Sequence, residues 1–566
     1  MNNYAIARVF TRIADLMEIQ GQNAFKIRAY RNAAQTMQEL TESLEVLAER
    51  DELESVPGIG EAIAQKTRDI LATGTTKLYE NLKAEVPETL IGLLDLPGFG
   101  PKKIQTAWKE LGVRNLDDLE RAAAEHRVRT LPGMGEKSEG KLLEALAAFR
   151  RRKERLPIGL ALPYAEGLAR LLLQTGAFER LELAGSLRRR QDLVGDYDFV
   201  ASAADPAAAI EAFAGHSEVR EVRERREGHI QAVAQNGAPM ELRVVVPERF
   251  AGAWHRATGS AAHLEALARL ATEKGLDLPE IQARAGSEEE IYAALGLPCI
   301  PPELREGRGE VEAALGGLLP KLIEVSDIRG VLHAHSTWSD GSASIERMAA
   351  AARELGFAFH AVTDHSQALG IARGLNPERL RQQIAEIDAL NATLPGDFRV
   401  LKGIECDILP DGTMDLPLDL LAELDVVVAS VHSQQRQDRE TITTRVVKAL
   451  ESGVVDILAH PTGRILGMRD PQDLDMDRVM DAALANRVAM EINAYPDRLD
   501  LNDVYARQAK ERGIPITINP DAHRPEHLSL YEYGICQARR AWLEAEEVIN
   551  TWPLDRLLQW LHHRHD

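Results

Sequence analysis

The sequence predicts a multidomain protein: an all-α front, a mixed α/β middle and a distorted (β/α) barrel at the C-terminus. Three observations carry this. The 566 residues exceed what one hydrophobic core can organise. A Pro-Gly-x-Gly element occurs three times within residues 1–155, among apolar positions at helical spacing. After Val331, short apolar strands alternate with helical stretches, the pattern of a (β/α) barrel.

In the front, Ile6, Val9, Phe10, Ile13 and Met17 fall on one helical face, as do Ala33, Met37, Leu40 and Leu44. The repeated elements are Pro57-Gly58-Ile59-Gly60, Pro97-Gly98-Phe99-Gly100 and Pro132-Gly133-Met134-Gly135. Proline stops one helix and the glycines permit a tight hairpin with positive φ before the next. The free N–H groups of such a hairpin hold a phosphate without reading a base. One copy would serve equally as a helix C-cap. Three copies resemble the helix-hairpin-helix motif, which implies DNA-backbone binding through Gly58, Gly60, Gly98, Gly100, Gly133 and Gly135. Arg150-Arg-Arg-Lys153 closes this part as a hinge or solvated helix end.

The formal net charge of -21 argues against a uniformly basic nucleic-acid binder. Residues 1–155 hold 24 Lys+Arg and 24 Asp+Glu, so the rest carries the whole deficit. Such a chain can present a locally basic face, and bound metals would offset carboxylate charge further along. Cys299, Cys406 and Cys536 are far apart and form no CxxC pair, as befits a reducing cytosol. The opening MNNYAIARVF lacks a basic flank and apolar stretch, and no apolar run is long enough for a membrane. A cytoplasmic protein with no membrane association is expected.

In the middle, strands are predicted at Leu181–Ala184, Asp198–Ala201 and Leu242–Val246. Gly185-Ser186-Leu187-Arg188-Arg189 is followed by Gly195-Asp196-Tyr197-Asp198. An Asp-x-Asp strand puts both carboxylates on one face. They can bridge two Mg²⁺ ions about 3.5–4 Å apart, the spacing for in-line phosphoryl transfer. A Gly-Ser turn before a helix can cradle a triphosphate, which Arg189 neutralises. A proline-rich Leu297–Pro302 and a linker to about residue 325 precede the barrel.

These motifs resemble the bacterial family X DNA polymerases, over essentially the whole chain. Phe25–Tyr30 with the first hairpin looks like the small lyase-like domain, the Gly-Ser and Asp-x-Asp elements like the palm, and Thr258-Gly259-Ser260 like the thumb's nucleotide turn. Pro301–Glu306 matches a stretch near the end of that module. The resemblance implies that Asp196 and Asp198 bind Mg²⁺ or Mn²⁺, and that Gly185, Ser186 and Arg189 hold the dNTP phosphates. Glu241 stands where the family has a third catalytic aspartate, and its extra methylene displaces the carboxylate. About an ångström of displacement can cost on the order of a hundredfold in rate. Arg256-Ala257 replaces an aromatic pair and Leu264 a base-reading asparagine. A slow, Mn²⁺-favouring polymerase is expected. Lys66 sits at the family's Schiff-base position, but Ala62 replaces its partner lysine. Lyase chemistry and a plain phosphate contact are both open there.

Barrel strands are predicted at Phe359–Thr363, Val426–Ala429, Ile457–Leu458, Ala489–Ile492 and Pro515–Ile518. Near strand ends stand His333, His335, Asp340, His365, Glu405, His432, His460, Asp521 and His523. Histidine with carboxylate suits two or three ions of the Mn, Fe or Zn type, and barrels place active sites at such ends. The set resembles the PHP (polymerase and histidinol phosphatase) domain, with His-x-His, Thr-Asp-His, Gly-x-Glu, Ser-x-His, Ala-His-Pro and Asp-Ala-His signatures. The resemblance implies three divalent metals and phosphoester hydrolysis. Arg464 and Arg498 read either as phosphate clamps or as plain surface arginines, and Asp364 as a group orienting a ligand histidine.

The expected divisions are 1–85 lyase-like, 86–155 fingers-like, 156–246 palm, 247–324 thumb and linker, and 325–566 PHP domain. The expected protein is a monomeric DNA repair enzyme, joining gap-filling polymerisation to Mn²⁺-dependent 3′–5′ exonuclease action on gapped or 3′-ended duplex. Abasic-site endonuclease and 3′-phosphatase are possible side activities. Two alternatives stand beside it: an end-processing nuclease whose palm only docks DNA, and a small-molecule phosphatase.

Overall fold

The computed structural model describes residues 3–39, 44–56, 58–94, 96, 98–153, 155–435 and 437–562. Leu40, Pro57 and Pro97 of the patterns above lie outside these residues. The chain forms two compact units, Met1–Lys153 and Glu154–Asp566.

The first unit is all-helical. Helices Asn3–Gln20 and Ala24–Glu39 bury Ile6, Phe10, Ile13 and Met17 against Ala33 and Met37, the faces that helical spacing marks. Phe10 stacks on Tyr30 at 6.1 Å. One apolar cluster runs from these residues through Leu82, Val86 and Leu90 to Leu146, without a break at residue 85. Each hairpin follows a short 3-10 turn and leads into an α-helix: Glu61–Thr73, Pro101–Leu111 and Glu136–Lys153. The last helix runs through the Arg150–Lys153 cluster.

In the second unit, a five-stranded sheet runs in the order Arg180–Leu183, Tyr197–Ser202, Pro239–Val245, His229–Ala234, Val219–Arg226. Tyr197–Ser202 and Pro239–Val245 are parallel, and their register sets Asp198 directly opposite Glu241. The thumb helices Phe250–Thr258, Ala261–Glu273, Leu278–Arg284 and Glu288–Ala294 follow. The stretch read as a linker is packed: Leu297, Ile300, Leu304, Val311 and Ala314 share a core with Leu267, Ile291 and Trp542.

Seven parallel strands then run in sequence order: Gly330–Val331, Phe359–Val362, Arg399–Asp407, Val426–Ser430, Ile457–Leu458, Ala489–Asn493 and Ile516–Asn519. A parallel bridge between Ala334 and Ala522 and the bond from Leu332 N–H to Asn519 Oδ1 (2.8 Å) bring the two edges together, so the barrel nearly closes. Inward parity places Phe359, Ala361, Leu401, Val428, Ile457 and Ala489 in one apolar cluster, joined by Ile549, Trp552, Leu557 and Leu561 near the C-terminus. Glu405 and Glu491 share that parity farther along their strands, so the lumen turns from apolar to ionisable toward the carboxyl ends.

Arg188 and Arg305 both grip Glu288, joining palm to thumb, with contacts of 2.6 and 2.5 Å. Burial would raise this carboxyl, but the two guanidiniums hold it at about 2, against an ordinary value of 4.5. A depressed carboxyl stabilises fully above its unfolded value and loses that contribution as pH falls through its folded value. Glu288→Gln should therefore cost about 3 kcal/mol at neutral pH. Denaturation curves of wild type and variant should converge between pH of about 4.5 and about 2.

Candidate functional site

All nine barrel residues singled out by the sequence meet at the carboxyl ends of the strands. His333, His335 and Asp340 follow the first strand, His365 the second, His432 the fourth, His460 the fifth, and Asp521 and His523 the seventh; Glu405 lies within the third. They form three overlapping donor groups: His335, Asp340, His365 and His523; His333, His335 and Asp521; His365, Glu405 and His432. Within each group the donor atoms lie within 4.8 Å of one another. His460 Nε2 joins at 3.0 Å from Glu405 Oε1.

This chemistry fits divalent cations. His333 Nε2, His335 Nδ1, His365 Nδ1 and Glu405 Oε2 are buried without a hydrogen-bond partner. His365 Nδ1 lies only 2.8 Å from Glu405 Oε2, yet out of hydrogen-bonding alignment. Buried polar atoms left this way are costly unless something binds them. Burial alone would lower the histidines, but neighbouring carboxylates outweigh it, raising His333 and His365 and bringing His432 to about 9. The imidazoles in turn hold Asp340, Glu405 and Asp521 below the carboxylate range, against burial. His460 and Asp521 have φ of 28° and 52°, left-handed backbone that non-glycine residues adopt at a cost and that clusters at functional sites.

Two sequence readings are corrected here. Asp364 orients no ligand histidine. It accepts from the backbone N–H groups of Ser336 (2.8 Å) and Ser339 (3.0 Å) and from Gln383 Nε2 (2.6 Å), fixing the loop that carries Asp340. The orienting groups are Glu491, 2.8 Å from His333 Nδ1, and Asp407, 3.2 Å from His432 Nδ1. Asp407 lies two residues after Glu405, and Glu491 is an acid inside an apolar strand; that parity was the available signal. Arg464 is no free clamp, since its guanidinium binds the Arg498 and Leu499 carbonyls and pairs with Asp192 at 2.9 Å. Arg498 is half-buried, with its charge beside Asp497 and Asp500.

In the palm, Gly185, Ser186, Arg189, Asp196, Asp198, Ala257, Gly259 and Ser260 line a cavity of about 500 Å³. Burial, Asp196 and Glu241 push Asp198 up to about 7, and burial and Glu241 raise Asp196. Three carboxylates so crowded ionise together only beside cations. Glu241 is held below its usual range, because Arg243 (2.7 Å) and His229 (3.1 Å) outweigh its burial.

Gly185 opens the helix Gly185–Arg188 instead of forming a turn before it. Its φ is +55°, and an added Cβ would run into the Asp198 carboxylate. Its bare α-carbon makes room for that acid, and Ser186 Oγ is the buried, unpartnered donor beside it. Arg189 Nη1 binds the Thr258 carbonyl at 2.8 Å. Arg256 is exposed and outside the cavity lining, and Leu264 packs beneath Gly259.

In the hairpins, Gly58, Gly98 and Gly133 have φ of 88°, 73° and 74°. Bonds from Ile59, Phe99 and Met134 N–H to Val56, Leu96 and Leu131 close the turns. Gly60, Gly100 and Gly135 are exposed, without positive φ, and nothing lies within 4 Å of a Cβ built on them. No internal contact excludes a side chain there, whereas close approach by a phosphate backbone would. Lys66 Nζ binds the Ala62 carbonyl at 3.0 Å on an open helix face, a geometry that suits a phosphate contact.

A palm with crowded carboxylates, a thumb and a barrel ringed by metal donors define a two-centre nucleotidyl-transfer and phosphoesterase architecture. The chain matches the helix-hairpin-helix domain over residues 1–76, the SAM-like helix-hairpin-helix tandem over 90–148, the DNA polymerase beta thumb over 253–306 and the PHP domain over 332–495. It is 40% identical to the DNA polymerase/3′-5′ exonuclease PolX of Bacillus subtilis (strain 168), covering 98% of both chains. A probable phosphatase of Shewanella loihica is 28% identical over 41% of this chain and 93% of its own. One from Thermoanaerobacter sp. (strain X514) is 30% identical over 27% and 64%. The chain belongs to the family X DNA polymerases that carry a PHP domain.

Glu491→Gln should weaken divalent-metal binding about 10- to 100-fold, the usual effect of losing an orienting partner. Calorimetric titration of the metal-stripped protein measures it.

Proposed function

We propose that the protein is a DNA repair enzyme joining template-directed gap filling in the palm to metal-dependent 3′–5′ exonuclease action in the barrel. The observation that carries it is the convergence of buried, unpartnered His and carboxylate atoms at the barrel mouth. The relative's name, DNA polymerase/3′-5′ exonuclease, supports both halves.

In this reading Asp196, Asp198 and Glu241 hold Mg²⁺ or Mn²⁺, while Ser186 and Arg189 bind dNTP phosphates. The nine barrel residues hold three divalent ions of the Mn, Zn or Fe type. Bound cations supply an activated water and neutralise the charge that builds on the ester. Glu491 and Asp407 aim His333 and His432, and Asp364 fixes the loop bearing Asp340. The hairpin glycines grip gapped or 3′-ended duplex. The working divisions are 1–85, 86–155, 156–246, 247–324 and 325–566, in a monomeric cytoplasmic protein. Among the described residues no helix is long and apolar enough to cross a membrane.

The phosphatase relatives, one matched over nearly its whole length, favour a second substrate class, phosphomonoesters including a DNA 3′-phosphate.

Asp198→Ala should abolish primer extension with Mg²⁺ or Mn²⁺ and leave 3′-end degradation intact, whereas His335→Ala should do the reverse. Each loss should reach about 10²- to 10³-fold, as expected when charge stabilisation in a reacting centre is removed. Extension gels on gapped duplex and release of a 3′-terminal label check this, and loss of both activities in either variant would contradict two separate centres. A labelled 3′-phosphate offered beside a 3′-hydroxyl end ranks the substrate classes.

A further inference from the structure

Arg189, the cation expected to meet the incoming triphosphate, does not stand alone. Its Nε lies 2.9 Å from Glu306 Oε1, and the same oxygen accepts from Gln191 Nε2 at 2.7 Å and Arg540 Nη1 at 2.8 Å. Arg540 ends the helix Tyr531–Arg540, beyond the last barrel strand, and its side chain is 2% exposed. Its Nη1 also donates to the Arg189 carbonyl at 2.8 Å, and Nη2 reaches Asp503 Oδ2 at 2.7 Å. Asp503 in turn takes Arg308 Nη1 at 2.8 Å. Alternating charges thus run from the palm cavity through the thumb carboxylate Glu306 into two barrel helices.

We propose that Arg540 is a positioning residue for nucleotide binding, so that the nuclease domain completes the triphosphate pocket of the palm. The inference rests on reading the palm as a nucleotide-using site. A lone Glu306 would pair with Arg189 and cancel its charge toward a triphosphate. With Arg540 on the same oxygen, Glu306 divides its charge between two guanidiniums, and Arg189 keeps positive potential toward the cavity it lines. Arg540 also binds the main chain of Arg189 itself, so it meets that residue directly at its carbonyl and through Glu306 at its guanidinium. Asp503 holds Arg540 from behind, which keeps the arrangement from relaxing. Arg540 bonds to Arg189, Glu306 and Asp503, none of them among the nine barrel donor residues, so its removal should leave the barrel centre intact.

The test uses the full-length protein. Binding of a fluorescent dNTP with Mn²⁺, the dNTP KM and kcat for gap filling, and release of a 3′-terminal label are measured on wild type, Arg540→Ala and Arg540→Lys. Arg540→Ala should weaken nucleotide binding and raise KM about tenfold, the order expected for losing a charge-assisted contact. Its kcat and 3′-end release should stay at wild-type values, and Arg540→Lys should recover part of the affinity. Equal nucleotide affinity in all three proteins overturns the inference, as does a parallel fall in affinity and 3′-end release. If Arg540→Ala does not fold, Asp503→Asn, which neutralises the anchor that Arg540 shares with Arg308, should shift affinity the same way, and an unchanged affinity there overturns it. A wild type that binds nucleotide without incorporating it overturns the polymerase reading alone.

Discussion

The structure depends on a concentration of ionisable groups that cannot sit in a protein interior uncompensated. Six histidines and three carboxylates converge where a barrel lumen stops being apolar. Several of their nitrogen and oxygen atoms are sealed from water without partners. Such burial costs several kcal/mol per ion unless opposite charge is supplied at close range. The surrounding design serves that requirement. Six of the seven parallel strands deliver the donor residues from different stretches of chain, and acids on inward-facing positions aim the imidazoles. A left-handed backbone at His460 and Asp521 is tolerated to complete the ring.

The palm meets the same constraint on a smaller scale. The parallel register sets Asp198 opposite Glu241, and a glycine at 185 makes room for the acid between its neighbours. The two centres are tied together by more than the chain. Arg464, beside the barrel site, pairs with Asp192 of the palm, and Trp542 sits in the thumb core. Palm, thumb and barrel therefore share buried interactions within one compact unit.

Much of this was legible in the sequence, for physical reasons. Parallel strands buried on both faces read as apolar β-branched runs, so the strands at Val426–Ser430 and Ile516–Asn519 stand out. Ligand residues announce themselves because His and Asp are unusual beside such runs. The strands Val219–Arg226 and His229–Ala234 were missed. The first is an exposed edge, nearly every side chain of which is charged, so it carries no apolar alternation; it is the kind of edge that discourages pairing with another chain. Arg464 and Asp364 were misread because a buried side chain's partner depends on loops that meet only after folding. The link from Arg540 to Arg189 spans hundreds of residues and has no local signature at all.

The open glycines of the three hairpins carry a consequence of their own. A grip made from main-chain amides recognises the repeat of the nucleic-acid backbone and is indifferent to which nucleotide occupies it. Moving by one repeat replaces each contact with an identical one, so sliding meets little resistance. Neutralised phosphates also release condensed counterions, which makes such a hold fade steeply as ionic strength rises. A front built this way is thus suited to holding nucleic acid without selecting a sequence.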